Sequence, residues 1–128
     1  MTTSEKKTQE VVTVKGFDKN LCCNGGDKPF QYEVGKTYTH NGEVAACESG
    51  FHGCEMPMDA FTYYPPTTSR YGDCAQSGEI ARHEGDSKIA SAVITINAEL
   101  QLGDVVKRAV AWVLEHAKSN TATGNSGH

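Results

Sequence analysis

No apolar run in this chain approaches the about 20 residues needed to cross a bilayer as a helix, which excludes a membrane span of that kind. The opening segment, MTTSEKKTQE, has no apolar stretch after a basic start, so it is not a secretory signal and the cytoplasm is the expected location. Basic clusters are missing as well. Twelve Lys and Arg are scattered among 16 Asp and Glu, for a net charge of -4, which argues against a nonspecific nucleic-acid binder that would draw its energy from grouped cations. There is no C-x2-C pair of the sort that marks structural zinc, and neither Gly25-Gly26 nor Gly103 has phosphate-loop spacing. Five cysteines are an odd number in a chain without a signal, so reduced thiols are expected rather than a disulfide framework.

What is present is enough for one domain. A chain of 128 residues, with 38% hydrophobic and 22% charged residues, can bury a core without staples. Residues 1–10 read as a flexible leader, 11–118 as a single α+β domain, and 119–128, small and polar, as a flexible tail or the start of a repeat tract. EVVTVKGF alternates with β-branched residues and predicts a strand ending near Gly16. FQYEVGKTYTH is extended, and Asn41-Gly42 predicts a hairpin over Tyr38 to Ala46. CESGFHGCE reads as strand, turn, strand. Pro57 suits a first helical turn, with Met58, Phe61 and Tyr64 on one face of a short middle helix that Pro65-Pro66 ends. TTSRYGD is expected as a loop. CAQSGEIARHE and SKIASAVITINAEL predict two strands joined around Gly85-Asp86, the second apolar enough to lie centrally. From about Gly103 to Lys118, Leu102, Val105, Val106, Ala109, Val110, Val113 and Ala117 follow helical spacing, with Trp112 and Leu114 widening the apolar face. The expected architecture is a small, mainly antiparallel sheet, a short middle helix, and an amphipathic C-terminal helix packed on one face.

Several residues could carry chemistry. Cys47, His52 and Cys54 have spacing C-x4-H-x-C, and Cys74 is a fourth potential ligand, but two small core cysteines flanking a turn explain them better than zinc, and no metal is expected. His52 and Cys54 flank one glycine, so a strand would place them on the same face, as a thiolate–imidazole pair requires. No orienting acid accompanies them. Phe51, Met56, Phe61, Tyr63 and Tyr64 form a protein-binding patch if exposed, because aromatic and methionine side chains dominate such contacts; otherwise they pack the short helix.

The segments YEVGKTY, CESGFHGCE followed by Pro and an aromatic-rich turn, and DSKIASAVITI together resemble the N-terminal domain of an uncharacterised family of phages, prophages and bacteria, over about Val14 to Ile96. Some members resemble a headpiece followed by repeats rich in Gly, Ala, Ser, Thr and Asn, and NTATGNSGH resembles the opening of such a tract. The resemblance implies a small module that binds a host or phage protein in the host cytoplasm, acting stoichiometrically, for example as an inhibitor of bacterial immunity such as an anti-CRISPR. A second likeness is one of order alone. An extended GFH, an aromatic helix and a later acid resemble small ADP-ribosyltransferase-like folds, which would assign His52, Tyr63 and Glu79 to catalysis with NAD. Lys15-Gly16-Phe17 stands where such enzymes carry an Arg or His, so the expectation leans away from an enzyme and toward no cofactor.

Overall fold

The computed structural model of the chain describes residues 10–25, 28–44 and 49–124. Cys47, one of the weak metal candidates, lies outside the described residues.

The scaffold is a long hairpin. β6 (Arg70–Arg82) and β7 (Lys88–Leu100) run antiparallel, and their connection turns at Gly85, whose φ of +107° suits glycine. β1 (Val11–Phe17) lies along the other edge of β6, from Val11↔Gln76 to Phe17↔Arg70. β5 (Phe51–Cys54) pairs with the start of β7, and β4 (Thr37–Thr39) follows it along the same edge at Thr37↔Thr95 to Thr39↔Val93. β1 and β5 meet at one pair, Val14↔Cys54. That pair closes β7, β5, β1 and β6 into a ring, and closure removes the open edges a flat sheet would expose. β2 (Cys22–Gly25) and β3 (Lys28–Gln31) make a separate two-stranded ribbon.

Alternation along β1 assigns the two faces of the wall. Thr13, Lys15 and Phe17 point inward; Val12, Val14 and Gly16 point outward. Phe17, Tyr32, Phe51, Cys74, Ile94 and Ile96 fill the interior. The outward face of Val14, Cys54 and Tyr71 is covered by Ala60 and Val105. Between the two apolar sets runs a buried polar network. Thr13 Oγ1 donates to Gln76 Oε1 at 2.7 Å, Gln76 Nε2 donates to Phe51 O at 2.9 Å and Ser91 Oγ at 2.8 Å, and Ser91 Oγ donates to Val93 O at 2.7 Å. Every member has a partner, so the network specifies register at little desolvation cost.

Helices cover the outer face. A 3₁₀ turn at Pro57–Asp59 leads into α1 (Ala60–Tyr63), with Pro57 at the start as its fixed φ allows. α2 (Leu102–Gly124) lies over that turn through Val105, Ala109 and half-buried Trp112, and Arg108 ties it to β6 by a 2.6 Å bond to Asp73. The expected α+β class, antiparallel sheet and two helices are present.

Local expectations differ from the structure in five places. TTSRYGD is partly strand, because β1 supplies a partner that draws Arg70–Asp73 into β6. The Tyr38–Ala46 hairpin does not form over the described residues: β4 finds its partner in β7, Glu43 and Val44 are not strand, and Ala45 and Ala46 lie outside them. In CESGFHGCE the described part is one strand, and the chain turns into the 3₁₀ segment after Cys54. Met58 is exposed while Ala60, Phe61 and Tyr64 face the core, since the turn is 3₁₀ where helical spacing would place Met58 inside. α2 continues to Gly124 through the segment expected as a tail. Its Leu102, Val106, Val110, Val113 and Leu114 are exposed, so the apolar arc is wider than the body covers.

Candidate functional site

A cleft of about 410 Å³ opens where β1 and β5 part beyond the Val14↔Cys54 pair. With no ladder across the gap, its backbone carbonyls need other partners. The Lys15 ammonium donates to His52 O at 2.7 Å, and the Cys23 thiol donates to Gly16 O at 3.3 Å. Lys15 is only 6% exposed, and its Nζ lies 5.1 Å from the Tyr32 ring centre and 5.8 Å from that of Phe17. The rings ease the burial of a charge that would otherwise be costly.

Two glycines shape the walls. A Cβ on Gly16 would lie 2.6 Å from Tyr64 Cβ, and one on Gly53 would lie 2.2 Å from Gln76 Oε1. Glycine therefore lets Tyr64 settle over β1 and lets the polar network pass behind β5.

His52 Nε2 is buried without a hydrogen-bond partner among the described residues. Burial lowers the His52 pKa to about 4, and the Lys15 and Lys88 charges push the same way, so the ring is neutral at physiological pH. Burial pushes the Cys54 thiol up to about 12; Asp59 and Asp86 add to this, while Lys88 and Lys15 act against it. A thiol held protonated is a poor nucleophile.

The rim is fixed by Asp86. Burial alone would raise its pKa, but hydrogen bonds from the Tyr63 hydroxyl, the Lys88 amide and His83 outweigh it and hold the carboxyl at about 2. The Lys88 ammonium sits 3.9 Å from the Tyr63 ring centre. Tyr63 is thus gripped at its hydroxyl and on its face while 38% of it remains exposed.

The structure brings together His52, Cys54, Tyr63 and Tyr64 in the cleft wall. Other sequence candidates go elsewhere. Glu79 is exposed on β6 beside the irregularity at Gly78 and is not among the residues lining the cleft. Phe51 is inside the ring, packed with Phe17 and Tyr32, so it cannot belong to an exposed aromatic patch; its strand neighbours His52 and Cys54 point the other way. Phe61 is half-buried against Tyr71 at 5.3 Å between ring centres, and Met56 is half-buried at the start of the 3₁₀ turn. Cys74 lies in the interior cluster and Cys54 in the outer one, which separates two of the proposed metal ligands, and no metal-holding group occurs among the described residues.

A family model for a domain of unknown function, DUF7666, matches residues 11–108. The chain belongs to the DUF7666 family. Neither a curated protein nor a solved structure matches it. The DUF7666 match runs from the first residue of β1 to Arg108 within α2, and so takes in the whole ring and every residue of the cleft. No helix among the described residues is long and apolar enough to cross a membrane.

Reading the sequence missed Lys15 and Lys88. The signal for Lys15 was its position between Thr13 and Phe17 on one face of an otherwise apolar strand, where a lysine has to be buried if Phe17 is. Nothing local marks Lys88, because its place over Tyr63 depends on how β7 meets α1.

Proposed function

We propose that this DUF7666 protein is a small binding module that acts stoichiometrically on a host protein, with the rim of the cleft as its contact surface. The observation that supports this most is Tyr63: an aromatic side chain held in one orientation by Asp86 and Lys88, yet exposed, as Met58 five residues earlier also is. Interfaces concentrate their energy in such anchors, and an anchor already ordered costs little entropy to dock. The resemblance to an uncharacterised family of phages, prophages and bacteria supports a host target, with inhibition of bacterial immunity as the class of action. An ADP-ribosyltransferase-like role draws less support, since its acid, Glu79, is not at the cleft.

The test is affinity capture from bacterial lysate with the wild type and Tyr63→Ala side by side. A partner held at equal stoichiometry and released at least tenfold faster by the folded variant supports the reading. ADP-ribose appearing on lysate proteins, and lost with Glu79→Gln, would replace it with the enzyme.

One observation favours a second reading, a headpiece that self-associates. Leu102, Val106, Val110, Val113 and Leu114 lie within an arc of about 120° on α2 at about 100° per residue, all exposed. For that role Val110→Glu should dissociate an oligomer seen by sedimentation, and a wild-type monomer at high concentration removes it.

A further inference from the structure

Lys15 and Lys88 both line the cleft, and neither has a carboxylate within 4.0 Å among the described residues. Lys88 stands over Tyr63 at the mouth, whereas Lys15 is nearly enclosed. An ammonium has three N–H donors, and the bond to His52 O uses one of those on Lys15. On the strand that offers that carbonyl, His52 Nε2 is enclosed with no hydrogen-bond partner among the described residues. A buried cation without a counter-charge next to an unsatisfied imidazole nitrogen is an arrangement that a protein carries at a cost, unless something else completes it.

The missing component has one sign. Burial keeps His52 neutral, and Lys15 and Lys88 repel its proton as well, so a tautomer with hydrogen on Nε2 offers one more donor to the same space. Lys15, His52 and Lys88, from β1, β5 and β7, line the same cleft, which Lys15 meets at the gap between the strands, where its ammonium bonds His52 O. Around them, the Cys54 thiol is protonated and the Tyr63 hydroxyl is committed to Asp86. Asp59 and Asp86 stand at the outer margin, occupied by the Ser87 amide and by Tyr63, His83 and the Lys88 amide. Their negative charges offset part of the lysine field, so the site suits one negative charge better than two. A carboxylate carries one charge and accepts about four hydrogen bonds; a phosphate near neutral pH carries closer to two charges.

We propose that the cleft between β1 and β5 is a binding site for a single carboxylate, which takes the free N–H donors of Lys15 and the Nε2–H of His52 while Lys88 closes over it at the mouth. The carboxylate comes either from a free small organic acid or from an Asp or Glu side chain of a docked protein. The second source rests on the proposed binding function; the site itself does not.

Titration of isotope-labelled full-length protein, followed by NMR at Gly53 and the His52 ring, tests this with three probes at matched ionic strength: acetate, a blocked glutamyl peptide and inorganic phosphate. Saturable shifts with a dissociation constant of about 1–10 mM for either carboxylate probe are expected, with phosphate weaker. Saturation by acetate assigns the source to a free acid, and saturation by the peptide alone assigns it to a protein side chain. The His52 pKa should rise on saturation, because the bound charge offsets both lysines. Lys15→Met should abolish the shifts, and Lys88→Gln, at the open mouth, should weaken them at least fivefold and serve if the first variant does not fold. Shifts that never saturate, that survive both substitutions, or that favour phosphate overturn the proposal. Loss of the lysate partner alone leaves the site standing, whereas failure of all three probes removes the site and leaves Tyr63 as the test of partner binding.

Discussion

Replacing Gly53 by alanine should break the polar interior of the ring, and the size of the effect can be worked from the contacts. The new methyl would lie 2.2 Å from Gln76 Oε1, 2.7 Å from Thr13 Oγ1 and 3.1 Å from Thr13 Cβ, so Gln76 has to leave. Gln76 then gives up its bonds to Phe51 O and Ser91 Oγ at a site where it is fully buried. Overpacking costs about 1–3 kcal/mol, and a stranded buried carbonyl about 1–3 kcal/mol more. The expected loss is about 3–4 kcal/mol. Urea denaturation reads it directly: with a slope of about 1.5 kcal/mol/M the midpoint falls by about 2 M. Combining Gly53→Ala with Gln76→Ala should cost less than the sum by about 1 kcal/mol, because the amide that clashes is the one removed. Gly103→Ala is the control, since nothing lies within 4 Å of its added methyl, and it should be neutral or mildly stabilising. A midpoint for Gly53→Ala within about 0.5 M of wild type, at unchanged slope, would mean that the network does not hold β5 against β1 and β6.

Two further outcomes follow from the titration states. His52 has a folded pKa of about 4 against an ordinary 6.5, so the unfolded chain binds the extra proton and stability falls as pH drops from about 6.5 toward 4. After discounting for partial exposure the loss is about 2 kcal/mol, and His52→Gln should flatten that part of a stability–pH curve. Burial raises the thiols of Cys54 and Cys74 to about 12, so brief alkylation of native protein at pH 8 followed by peptide mass spectrometry should leave both unmodified; rapid labelling of Cys54 would restore the nucleophile reading.

The parts of this fold that the sequence announces are those set by neighbours in the chain. Alternation in EVVTVKGF marks β1, the apolar SKIASAVITINAEL marks β7, and the turn at Gly85 joins it to β6. The His-Gly-Cys spacing correctly puts His52 and Cys54 on one face. Closure of the ring was not legible, because it depends on Val14 meeting Cys54 across 39 intervening positions. From that pair follow the burial of Phe51, the cleft, and the placing of Lys15 beyond ion-pair reach of any carboxylate among the described residues. The early start of β6 was hidden for the same reason: Arg70–Asp73 has little strand pattern of its own and takes its form from β1.

The seam between β1 and β5 has a consequence for how the molecule comes apart. Elsewhere the wall is stitched by backbone ladders, interrupted only by the β6–β7 register shifts, and its paired amide protons should exchange only with global unfolding. Along the seam, beyond the Val14↔Cys54 pair, adhesion comes from the Lys15 ammonium on His52 O and from Thr13 and Gln76, whose side chains link β1 to Phe51 O on β5. Such a join can part while the β6–β7 hairpin stays folded, a sub-global opening with its own, smaller free energy. The height of that barrier is written in three side chains, so it can be raised or lowered by single substitutions without redrawing the fold.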